Sequence, residues 1–119
     1  MKAAVNEPLR PSGTEELARL QGITLGPTAW YMLDQGRFDE FAEVTEDRQW
    51  IHVDPGAAAA SRFGGTVVHG LLTLGLGLKS TEELLDFCGF AQRVNYGYQK
   101  VRLPGPRSRS ARACGCSSS

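Results

Sequence analysis

The chain has 119 residues, 41% hydrophobic and 22% charged, with zero formal net charge. That is enough for one domain around a single core and too little for two, and the balance is that of a soluble globular protein. Residues 1–101 carry 9 basic against 13 acidic side chains, the other four basic residues (Arg102, Arg107, Arg109 and Arg112) lying beyond them, so no basic face for nucleic acid is expected.

Met1 to Pro8 has no apolar core of a secretory signal, which leaves the cytoplasm as the expected location. Residues 1–12 read as a loose arm. Ser12-Gly13-Thr14-Glu15 has the spacing of a capping box, Leu17 and Leu20 supply an apolar face, and Gly22 is a stop. A short helix over about 13–21 follows from this. Thr28 to Leu33 is rich in strand formers and ends at Asp34-Gln35-Gly36. Phe38, Phe41, Ala42 and Thr45 then recur at i, i+3, i+4 and i+7, with Asp39, Glu40 and Glu43 on the other side, which predicts an amphipathic helix.

That helix delivers the chain into a loop, Asp47-Arg48-Gln49-Trp50-Ile51-His52, and Asp54-Pro55 reads as the N-cap and first position of another turn of helix. From His69 to Leu78 the leucines cover nearly all sides, the pattern of a central, buried helix. Ser80-Thr81-Glu82-Glu83 repeats the capping-box spacing, with helix expected to about Phe87. Residues 91–103 read as a second strand, with Val94, Tyr96 and Tyr98 on one face. After Pro104 no periodicity remains, and 105–119 is expected to be a disordered Arg/Ser/Cys-rich tail. Cys88, Cys114 and Cys116 suit neither a disulfide framework nor a four-ligand zinc site.

Asp47 and His52 form the sharpest candidate pair. A neutral imidazole can take a proton from water, and a carboxylate can orient that water or return a proton. Equally, Asp47 can cap a loop and His52 can be a half-buried polar residue; spacing alone leaves both readings open. Gly70 is the second component. It either offers an N–H at a helix start to a developing oxyanion or allows close packing. A metal reading through His52, Asp54 and His69 has weak spacing, Asp54 being better explained as a cap, so no metal is expected.

Phe41 to Asp47, Trp50 to Pro55 and Phe63-Gly64-Gly65-Thr66-Val67-Val68-His69-Gly70-Leu71-Leu72-Thr73-Leu74 together resemble the MaoC-like dehydratases, among them the R-specific enoyl-CoA hydratases. Asn95-Tyr96-Gly97 and Lys100 to Pro104 extend the likeness, which covers about residues 13–104. The resemblance implies an α+β hot-dog fold, a central helix wrapped by antiparallel sheet, commonly as a homodimer. It implies Asp47 and His52 as the catalytic pair, the Gly70 N–H on the thioester carbonyl, and reversible hydration of a trans-2-enoyl thioester of CoA or acyl-carrier protein. No cofactor and no membrane association are expected.

The alternative is a non-catalytic acyl-thioester binder or partner subunit. Two departures stand out in the loop: Glu46 where the family usually has Gly, and Gln49-Trp50 where Asn-Pro is common. Hot-dog members also continue with three more strands after the segment at 91–103, so the expectation is a partial domain, truncated or shifted in frame after about residue 104.

Overall fold

The computed structural model describes residues 7–103 and the backbone of 112–114. In chain order the elements are α1 (Thr14–Arg19), β1 (Tyr31–Leu33), α2 (Gln35–Thr45), α3 (Trp50–Val53), α4 (Pro55–Ala59), α5 (Gly70–Gly75), α6 (Gly77–Leu84) and β2 (Arg112–Cys114). They fall into two compact units. One holds the described residues up to Ala29 together with Leu76–Val101; the other holds Trp30–Gly75, Arg102, Leu103 and β2.

In the first unit, α1 starts at Gly13 without a side-chain cap, and Glu16 Oε2 instead accepts the Ser12 N–H at 2.8 Å. The expected box is therefore half formed and displaced by one residue. Gly22 adopts φ +81°, a left-handed conformation that a glycine enters at little cost, and the chain turns away there. Part of the expected arm is held in place. Leu9 donates to the Leu84 carbonyl at 2.9 Å and accepts from Asp86 N–H at 2.7 Å.

Helix α6 runs through Ser80 and stops at Leu84, so the anticipated restart at Ser80 is not a cap. The Ser80 and Thr81 hydroxyls instead donate back to the carbonyls four residues earlier. The strand expected over 91–103 does not form. Val94, Tyr96 and Tyr98 are exposed, Asn95 Oδ1 accepts the Gly97 N–H at 3.1 Å, and Gly97 sits at φ +148°. A local side-chain turn has replaced ladder pairing, the outcome for an alternating segment with no strand beside it among the described residues.

In the second unit, β1 buries Tyr31 and Leu33 and exposes Met32, the period-two pattern of a half-covered strand. It pairs antiparallel with β2, Met32 opposite Ala113. The reading of 105–119 as a tail without elements differs from the structure at these three residues; the rest of that span lies outside the described residues. Asp34 Oδ1 accepts the Arg37 N–H and caps α2, which buries Phe38 and Ala42 as its spacing predicts. Asp54 Oδ1 accepts the Ala57 N–H at 3.0 Å with Pro55 in the first turn, so α4 starts as expected.

The central helix departs most from expectation. Its apolar run is divided between α5 and α6, α5 has no buried residue, and Leu71 is 64% exposed. Among the described residues the sheet amounts to two three-residue strands, too little backbone to wrap a helix. No helix among them is long and apolar enough to cross a membrane.

Candidate active site

Helix α2 ends in a left-handed residue, Glu46, at φ +63°. This C-cap turns the chain so that Asp47 leaves the helix, and Glu43 and Arg48 pair across the turn at 2.9 and 3.2 Å. The Arg48 guanidinium holds the Glu43 carboxyl below its ordinary range. Both groups are exposed, so this is a modest brace. The Asp47 side chain is exposed at the end of the turn.

His52 does not sit in an open loop as expected. The single turn α3 carries it inward, where it is 8% exposed. Two backbone-directed bonds fix it against the 66–69 segment: Val67 N–H donates to Ile51 C=O at 2.9 Å, and His52 Nδ1 lies 2.8 Å from Val67 C=O. A carbonyl can only accept, so the Nδ1 carries a proton, and in the neutral ring the lone pair then lies on Nε2.

Gln35 at the start of α2 adds a third tie, donating to His52 C=O at 2.7 Å while accepting the Thr66 hydroxyl at 2.6 Å. Neither Gln35 nor Thr66 stands out in the sequence. Gln35 reads there only as part of a strand-ending turn, and its partners lie 17 and 31 residues away.

His69, expected to be a structural residue at a helix start, does receive the first α5 bonds: its carbonyl accepts from Leu72 and Thr73. Its side chain goes further. It is 2% exposed, its Nε2 lies 3.1 Å from the Asp47 carbonyl, and its ring stacks on His52 with centroids 3.9 Å apart and planes at 23°. Phe41 and Phe38 close the other sides of that ring at 4.8 and 6.4 Å.

A carboxylate oxygen of Asp47 and ring nitrogens of His52 and His69 lie within 4.8 Å of one another. Three such donors raise the question of a metal. An imidazole lone pair points in the plane of its ring, and two nearly parallel planes 3.9 Å apart cannot share one ion between them. Asp54, the third donor of the metal reading, is occupied in capping α4. The donor set does not fit a metal centre.

Gly70 follows His69 as the first residue of α5. A Cβ there would stand 2.5 Å from Leu103 Cδ1, the movable end of a half-exposed side chain that now lies over this backbone. Close packing, one of the two readings of Gly70, is thus present; a helix-start N–H stands at the same residue. The arrangement as a whole is a buried, tautomer-fixed imidazole with a free lone pair beside an exposed carboxylate, a pair suited to moving a proton to and from water.

Comparison with known proteins identifies the family. The MaoC like domain matches residues 18–107. The 3-hydroxyacyl-thioester dehydratase Z of Mycobacterium tuberculosis is 41% identical over 91 residues, covering 76% of this chain and 60% of that protein. Nodulation protein N of Rhizobium meliloti is 38% identical over 102 residues, covering 84% of this chain and 63% of its own length. The chain therefore spans about three fifths of the length of these relatives. With its matched residues running from α1 past Leu103 and taking in Asp47, His52 and Gly70, the chain belongs to the MaoC-like dehydratase family, whose fold is the hot-dog.

Proposed function

We propose that this chain carries the site for reversible hydration of trans-2-enoyl thioesters to (R)-3-hydroxyacyl thioesters, with CoA or acyl-carrier protein as the thiol carrier. The observation that carries the reading is the His52 Nδ1 contact with Val67 C=O at 2.8 Å, which fixes the tautomer a general base needs. His52 Nε2 takes a proton from water as the water oxygen bonds to C3. Asp47 orients that water, and the proton taken up by His52 passes through Asp47 to C2, so that one water supplies both the hydroxyl at C3 and the hydrogen at C2. The Gly70 N–H steadies the enolate oxygen, a contact typically worth about 3 kcal/mol. Dehydration runs the same steps backwards. The thioester already activates the double bond, so the reaction draws on no metal or redox cofactor. The working form proposed is a cytoplasmic homodimer.

The dehydratase name of the mycobacterial relative supports this chemistry for the family line. A second reading, an acyl-thioester-binding or partner subunit without turnover, is favoured by one feature: Leu71, next to Gly70, is 64% exposed, so among the described residues this face of α5 is open to solvent.

Hydration of crotonyl-CoA by the purified chain separates the two. The first reading expects turnover that falls by about 10²- to 10⁴-fold in both His52→Ala and Asp47→Asn, the usual span for a positioned acid or base. Thioester binding with no turnover in the unsubstituted chain would favour the second.

A further inference from the structure

We propose that His69 is the positioning residue of this site, one side chain that sets Asp47 and His52 against each other. The kinetic arm of the test rests on the hydration reading above; the structural arm does not.

The Asp47 carbonyl can only accept, so the bond at 3.1 Å requires His69 to carry its proton on Nε2. Its Nδ1 is then a bare acceptor, and it is buried with no partner among the described residues. Phe38 and Phe41 lie against the ring, with His52 stacked on it and the Asp47 carboxylate within 4.8 Å of a ring nitrogen. A residue needed only to fill this space would be better as Phe or Leu, because a buried acceptor left unpaired is unfavourable. The histidine is justified by what its other nitrogen does, which is to hold the backbone of the proposed acid.

The ring face acts on the base. His52 gains a proton when water is activated, and the His69 ring stacked on it with centroids 3.9 Å apart holds that imidazole in its plane. The stack also limits rotation of His52 about the single bond to Val67 C=O. Both partners of the proton relay therefore refer to one rigid group at the start of α5. A misplacement of about 1 Å between reacting groups can cost ~10²-fold in rate, which is the scale of effect expected when the link is removed.

Two variants divide the roles. His69→Gln keeps a side-chain N–H donor with the reach of Nε2, and His69→Phe keeps the ring without the donor. The Asp47 carbonyl ¹³C and Arg48 amide ¹⁵N shifts report the bond directly, without turnover. The expected result is wild-type-like shifts in His69→Gln, with a kcat lowered by less than in His69→Phe because only the ring over His52 is lost. His69→Phe should show moved shifts and a kcat lower by about 10- to 100-fold, with KM nearly unchanged.

A folded His69→Phe protein with wild-type shifts and kcat would overturn the proposal, as would a folded His69→Gln protein that matches His69→Phe in both readouts. Loss of the fold in both variants would assign His69 to packing and overturn it too. If the unsubstituted chain hydrates no enoyl thioester, the functional reading fails separately, and the shifts alone decide whether His69 holds Asp47.

Discussion

Glu46 occupies the left-handed position that ends α2, at φ +63°, and it does so with a Cβ. The steric cost of that conformation for an ordinary residue is about 1–2 kcal/mol, which is why helices so often place glycine there. The residue is exposed, so no buried contact offsets the strain. Glu46→Gly should therefore stabilise the chain by about 1 kcal/mol, less the entropy glycine adds to the unfolded state. A urea midpoint shifted upward with unchanged slope would show it, and an unchanged or lower midpoint would contradict it. The sequence marks Glu46 as unusual before Asp47, and the backbone gives the departure its physical content. His52 behaves the opposite way: its identity is plain in the sequence, but its tautomer depends on Val67 C=O, 15 residues later, and is visible only in the fold.

At the scale of elements, local signals were legible where the physics is local. Asp54-Pro55 predicts a capped helix start because one side-chain oxygen and one fixed φ are sufficient, and α4 begins there. The apolar face of α2 is likewise set by spacing within one helix, and Phe38 and Ala42 are buried accordingly. The segment 91–103 has strand-like alternation, but a strand exists only beside another, so Asn95 and Gly97 make a turn instead. The same holds for the leucines of α5, whose burial needs a covering sheet.

Gln35 shows what joins elements without any local signal. Its amide links the start of α2 to α3 and to Thr66 through bonds of 2.7 and 2.6 Å. Gln35→Ala would leave the His52 carbonyl and the Thr66 hydroxyl short of a partner, at a cost of about 1–3 kcal/mol. It should also lower kcat, since α3 carries His52. Denaturant unfolding together with crotonyl-CoA hydration checks both, and wild-type values in both would show the link to be idle.

For the molecule as a whole, charge and exposed surface act together. The formal net charge is zero and the isoelectric point is about 6.7, so near neutral pH little repulsion separates one copy from another. Within the second unit, Trp30 and Met32 on and beside β1 are 72% and 61% exposed, alongside the exposed Leu71 of α5. Met32 is outward because Tyr31 and Leu33 are inward, so its exposure follows from strand geometry. Apolar side chains left outside in this way favour contact between copies. Sedimentation velocity at low ionic strength and pH near 6.7 should therefore show association that grows with concentration. Raising the pH by about two units gives every copy a net negative charge and should weaken that association. Met32→Lys should weaken it at the lower pH as well, because a charge at an outward strand position opposes edge and face contacts while leaving Tyr31 and Leu33 in the core. Association unchanged in Met32→Lys would assign the contact to another surface, and a single monomeric species at every concentration would show that these side chains do not bring copies together.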